Sequence, residues 1–201
     1  MADDRPQPPS SEPGPVSRRE QRLRLDAQVE IVLLRHGEPD WTPGGGLAVD
    51  DAHLTERGRQ QARAAAERLA ESPIDAIYAS PLRRAQESAE PLAKGTGLTP
   101  VTMPGLAEIG IALTGRSQPE VDTYFRQASR RRLGEHWQGW PGGENFRAFH
   151  ERVTRTLAEI LSRHDVRRES EDEFTVWELP PRRHRIVIVA HGGTNAVALT
   201  P

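Results

Sequence analysis

The chain has 201 residues, 35% hydrophobic and 28% charged, and no apolar stretch near the roughly 20 residues that a membrane-spanning helix needs. Its 27 Lys and Arg stand against 29 Asp and Glu, a formal net charge of -2, so the molecule as a whole has no electrostatic reason to prefer nucleic acid or an anionic membrane. Cysteine is absent, which excludes disulfides, cysteine zinc sites and any thiolate nucleophile.

Residues 1–28 are rich in Pro, Ser and charge and lack the apolar core of a signal peptide, so they are expected to form a disordered tail on a cytoplasmic protein. Residues 29–201 are expected to form one domain. Val29 to Leu34 (VEIVLL) reads as a buried strand ending at Arg35-His36-Gly37. Thr55 suits an N-cap for the amphipathic helix TERGRQQARAAAERLAES, with Ala62, Ala65, Ala66 and Leu69 on one face. Ile74 to Tyr78 is a second strand. The helix in RRAQESAEPLAK should follow Pro81 and kink or end at Pro91. A third strand is expected around Pro100 to Met103, then loops and short helices from Gly105 to Gly143. Phe146, Phe149, Val153, Leu157 and Ile160 recur at helical intervals within Asn145 to Arg163. A charged excursion from His164 to Arg185 holds one strand-like piece, FTVW. Ile186 to Ala190 (IVIVA) is the most hydrophobic run and ends at His191-Gly192-Gly193. Strands alternating with helices imply an α/β fold whose mostly parallel sheet is covered on both faces.

In such sheets ligands bind beyond the carboxyl ends of the strands, where the following helices point their positive N-termini. Three strands end in IVLL-RHG, IDAIY-ASPLRRA and IVIVA-HGG, which delivers two histidines and several arginines to one edge. Imidazole is largely unprotonated near neutral pH and can act as a nucleophile, while guanidinium groups grip phosphate oxygens through forked hydrogen bonds. The set suits phosphoryl transfer without a metal, since no ligand spacing accompanies His36 and His191. His53, His136, His150, His164 and His184 lack comparable placement and read as surface or structural residues. The clusters Arg130 to Arg132 and Arg182 to Arg185 read as solvated surface, and Trp137 and Trp140 could line a substrate mouth or simply pack.

These motifs, taken in order, resemble the histidine phosphatase superfamily, the phosphoglycerate mutase-like proteins. The residues are RHGE (Arg35–Glu38), LTERGRQQA (Leu54–Ala62), ASPLRRAQESA (Ala79–Ala89), GLAEI (Gly105–Ile109), GGENF (Gly142–Phe146) and AHGG (Ala190–Gly193). The resemblance implies a three-layer α/β/α sandwich, no cofactor and no metal. It makes His36 the phosphorylated nucleophile and places Arg35, Arg84 and His191 around the phosphate, with Arg84 rather than Arg83 because it precedes Ala85. It makes Glu108 the residue that protonates the leaving oxygen and then activates water. The chain departs from the family's RHGxTxxN pattern at Pro39 and Thr42, so one phosphate contact is either supplied by the Thr42 hydroxyl or missing. It also lacks the aromatic residues that commonly follow Glu108. Relatives continue past the point equivalent to Pro201, so the domain is expected to be truncated at its C-terminus. The leading expectation is a phosphomonoesterase of small phosphorylated metabolites. A phosphoglycerate mutase-type phosphotransferase and a binding or regulatory relative without turnover are the alternatives.

Overall fold

The computed structural model describes residues 29–128, 130, 131, 135, 139, 143–171 and 174–199. The expected tail, His136, Trp137 and Trp140 lie outside them. Four strands form one parallel sheet: β1 (Val29–Arg35), β2 (Ala76–Ala79), β3 (Val101–Thr102) and β6 (His184–Ala190), in the order β1-β6-β2-β3. The apolar run around Ile186 takes the interior position between β1 and β2. This explains why IVIVA is continuously hydrophobic, since both faces of that strand are buried.

Side-chain alternation sorts the core into two layers. Ile77, Ala79, Val187 and Val189 meet Ala66 of α1 (Glu56–Ala70) and Ala85, Ala89 and Leu92 of α2 (Arg83–Thr96) on one face. Tyr78, Ile186, Ile188 and Ala190 meet Ile160 of α4 (Phe146–Ser162) on the other. Phe149 and Val153 of α4 pack on Val197 of α5 (Gly192–Ala198). The expected α/β/α sandwich is therefore present. A smaller cluster of Ala48, Leu113 and Val121 seats α3 (Gln118–Ala128) over the carboxyl edge of the sheet. No helix among the described residues is long and apolar enough to cross a membrane.

The expected cap at Thr55 forms, and Asn145 caps α4 as well. Thr55 Oγ1 accepts from the Gly58 amide at 2.9 Å, and Asn145 Oδ1 accepts from the Ala148 amide at 2.9 Å. Pro91 does not end its helix, which runs on to Thr96 and closes at Gly97 with a left-handed φ of 72°. An interior proline costs about 3 kcal/mol or more in a helix. Ala89 and Leu92, both buried in the core on either side of it, supply burial that offsets the loss. The charged excursion differs more. FTVW lies in β5 (Phe174–Glu178), but it pairs antiparallel with β4 (Arg167–Glu171, sequence RRESE), a strand with no apolar alternation to reveal it. Its register places Arg167 opposite Glu178, an attractive cross-strand pair.

Candidate active site

Parallel register brings three strand ends together. Arg35 pairs with Ala190 and Ala79 with Val189, so the next residues, His36, His191 and Ser80, are neighbours. The His36 amide continues the ladder to the Ala190 carbonyl at 3.0 Å, and the Ser80 amide does so to the Val189 carbonyl at 3.0 Å. The His36 and His191 rings lie 5.1 Å apart between centroids.

The loop after His36 is held by close backbone approach. A Cβ on Gly37 would fall 2.3 Å from the Gly58 carbonyl oxygen, and a Cβ on Gly58 would fall 2.2 Å from that of Glu38. Only glycine at both positions lets the loop meet the first turn of α1. The Gly37 amide donates to Ser88 Oγ at 3.0 Å and the Glu38 amide to Gln61 Oε1 at 2.8 Å.

His36 Nδ1 lies 2.7 Å from the Gly37 carbonyl oxygen. A carbonyl only accepts, so Nδ1 carries the ring proton and Nε2 keeps its lone pair. Burial pulls the His36 pKa down to about 4; the bond to Gly37 opposes this, and the charges of Arg84 and Arg35 reinforce it. The ring is therefore neutral near pH 7.

His191 is fully buried at the N-cap of α5. Burial first, then the charge of Arg84 and the adjacent His36, holds its pKa down at about 2. Its Nε2 lies 2.7 Å from Ser80 Oγ, and that oxygen also accepts from the Leu82 amide at 3.3 Å. With the Ser80 hydroxyl donating to Nε2, the ring proton sits on Nδ1. Nδ1 is buried with no hydrogen-bond partner among the described residues.

Arg84 is only 4% exposed, and burial lowers its pKa from the usual value while the carboxylates of Glu108, Asp51 and Asp50 oppose the shift. Its guanidinium stacks 4.8 Å from the centre of the Trp41 ring, and Nη1 donates to the Asp50 carbonyl at 3.0 Å. Nε is buried and unpaired among the described residues. Arg83 turns away: its amide donates to Asp51, and its side chain meets Asp51 and His53. Of the two guanidinium groups, only that of Arg84 is brought to the cavity.

Glu108 accepts from its neighbour's amide, Ile109, at 3.0 Å and from the Gly193 amide at 2.9 Å, one at each carboxylate oxygen. A Cβ at Gly193 would sit 2.4 Å from Glu108 Oε1, so glycine there makes room for the carboxylate. Behind Glu108, Arg152 of α4 donates to the carbonyls of Gly105, Ala107 and Glu108 at 2.7–3.0 Å and forms a forked pair with Glu144 at 2.8 and 2.7 Å. One guanidinium thereby ties the segment bearing Glu108 to a helix.

Arg35, His36, Arg84 and Glu108 line one cavity of about 500 Å³. His191 stands behind His36 in contact with it. Thr42 is not brought to the cavity wall: its hydroxyl donates to Gln118 Oε1 at 2.7 Å. Of the other histidines, His164 and His184 are buried side by side with His164 against Tyr78, His53 meets Glu87 and Arg83, and His150 lies against Phe146. The structure adds Ser80, Trp41, Asp50, Phe125 and Arg152 to the residues expected from sequence. Ser80 directly follows a strand and could have been found by the strand-end rule. Trp41, Asp50 and Phe125 come from segments without periodicity, and Arg152 is one of several arginines on its helix.

Comparison with known proteins places this arrangement. Residues 31–200 match the model of the histidine phosphatase superfamily (branch 1). Phosphoserine phosphatase 1 of Hydrogenobacter thermophilus is 33% identical over 141 residues, covering 68% of this chain and 66% of that protein. A probable phosphoglycerate mutase of Enterobacter sp. (strain 638) is 32% identical over 136 residues, covering 66% of this chain and 63% of that protein. This chain thus spans slightly less than two thirds of the length of these relatives. The solved structure of a mycobacterial glucosyl-3-phosphoglycerate phosphatase aligns with a TM-score of 0.60 at 32% identity, covering 83% of this chain and 76% of that one. With the ordered motifs, the sandwich and the matching family model in agreement, the chain belongs to the histidine phosphatase superfamily.

Proposed function

We propose that the protein is a phosphomonoesterase that hydrolyses a small phosphorylated metabolite through a phosphohistidine on His36, without a metal. The observation that carries this reading is the His36 ring itself, with Nδ1 held by the Gly37 carbonyl and Nε2 left as a neutral nucleophile beside two arginines and a carboxyl group. Nε2 attacks phosphorus, the ester P–O bond breaks, and Glu108 in its protonated form passes its proton to the leaving oxygen. Arg35, Arg84 and the Nδ1 proton of His191 hold the phosphoryl oxygens, where charge concentrates as the group transfers. Water then attacks phosphorus, its proton returns to Glu108, and the P–N bond electrons return to Nε2. The assignment to Glu108 is supported by its place in the cavity wall, which neither Glu144, paired with Arg152, nor Glu38, bonded to Thr55, shares.

A mutase-type phosphotransferase would share the first step and return the phosphoryl group to a bound intermediate. The similarity to a probable phosphoglycerate mutase keeps this as the second reading. Rapid quench with a labelled phosphomonoester, in the presence of EDTA, tests both. The expected result is a protein label that is lost in acid, stable in base and absent from His36→Ala, with inorganic phosphate as product. A label persisting in His36→Ala, or requirement for a divalent metal, overturns the proposal, and phosphoryl transfer to a second metabolite instead of water selects the mutase reading.

A further inference from the structure

We propose that the site selects phosphomonoesters whose leaving group is apolar and carries no carboxylate, the Trp41 and Phe125 rings forming the wall against which that group packs. The inference rests on the reading of the cavity as a phosphatase site. Above the phosphate-binding floor, the cavity is lined by Pro39, Trp41, Leu82, Ile109, Ile111 and Phe125. The Trp41 and Phe125 rings lie 6.5 Å apart between centroids, tilted by 47°. Trp41 is also stacked on Arg84, so one face of the indole is committed to the phosphate side. Phe125 is 40% exposed on a helix whose one buried residue among those described is Val121, an apolar ring left where a ligand could cover it.

Charge points the same way. Among the described residues lining the cavity the only cations are Arg35 and Arg84, both placed to meet the phosphoryl group, whereas Asp50 and Glu108 bring carboxylates. The Asp50 side chain is already used, accepting from the Leu113 and Thr114 amides at 3.1 and 3.0 Å. A leaving group bearing a carboxylate, as in a phosphorylated hydroxy acid or amino acid, meets no further cation among the described lining residues and faces the Asp50 carboxylate. Discrimination in such a site comes as much from repelling the wrong group as from binding the right one.

Leaving-group chemistry must be held constant to read this preference, so the test pairs 2-phenylethyl phosphate with ethyl phosphate, both alkyl esters, and adds phosphoserine and 3-phosphoglycerate. A methylene in an apolar pocket changes specificity by roughly 10-fold or more, so kcat/KM for the phenylethyl ester should exceed that of the other three by at least about 10-fold. Phe125→Ser should narrow that gap, and Phe125→Arg, which supplies a cation at an exposed position, should raise kcat/KM for 3-phosphoglycerate by about 5-fold or more. Calorimetry with 2-phenylethylphosphonate and 3-phosphonopropionate, which cannot be hydrolysed, reads the same preference as affinity. Tighter binding of the phenylethyl compound with no turnover of any ester would sink the hydrolase reading and leave the inference about the wall standing. Equal or better use, or tighter binding, of the carboxylate compounds by the unsubstituted protein would overturn it.

Discussion

Acidification should cost this protein stability through His36. Its pKa falls from the ordinary 6.5 to about 4 in the folded chain, whereas an unfolded chain returns it to 6.5. Below pH 6.5 the unfolded state therefore binds the extra proton and the folded state refuses it. Stability is fully present above 6.5 and is lost as pH falls toward 4, levelling off once the folded ring protonates. For these two values, linkage gives a loss of about 1.8 kcal/mol between pH 7 and pH 5. The His36 ring is not wholly shielded from water, so roughly 1–2 kcal/mol is the expected share. His191, held near 2, stays neutral through the same window and adds its own loss in the same direction. The comparison with His36→Gln isolates the first term, because His191 remains in both proteins and glutamine keeps an N–H for the Gly37 carbonyl. Urea unfolding at pH 7 and pH 5, at matched ionic strength, should show the native chain losing more stability than the variant by that amount. Identical losses would mean that His36 is not desolvated as its surroundings require, and with it would go the explanation of why the nucleophile is neutral.

Gly193→Ala should act through Glu108: the new methyl would meet Oε1, so kcat on alkyl phosphates should fall about 10- to 100-fold while aryl phosphates, which need less help in leaving, lose much less. A uniform loss over both substrate classes would remove Glu108 from the acid role. Ser80→Ala should free His191 Nε2 and its tautomer, weakening inhibition by inorganic phosphate by about 10-fold, with Ser80→Thr restoring most of it. Unchanged inhibition in the alanine variant would show that the hydroxyl does not position His191.

Much of the molecule could be read before any coordinates, because local rules and strand order carry the information. The hydrophobic runs before Arg35-His36 and His191 announced parallel strands, the second buried as expected but the first an edge strand with no fully buried residue, and Thr55 announced its helix by offering a side-chain oxygen to a free amide. Once those runs were taken as parallel, the strand-end rule alone brought His36 and His191 to one edge. What the sequence could not decide depends on partners distant along the chain. The apolar neighbours that carry α2 through Pro91 belong to the core, and the charged strand β4 is defined by its pairing with β5 rather than by its own pattern.

The same limit applies at the site. Thr42 and Arg84 both lie next to recognisable motifs, yet the Thr42 hydroxyl turns to Gln118 while Arg84 is drawn beneath Trp41. The tautomer of His36 needs a carbonyl at the right distance, and the room for Glu108 needs the missing Cβ of Gly193, 85 residues further along. The residue types and their order were sufficient to determine which reagents reach the edge of the sheet. Which nitrogen carries the proton, which arginine is buried and what lines the mouth are properties of packing, because they arise only when segments remote in sequence exclude water together.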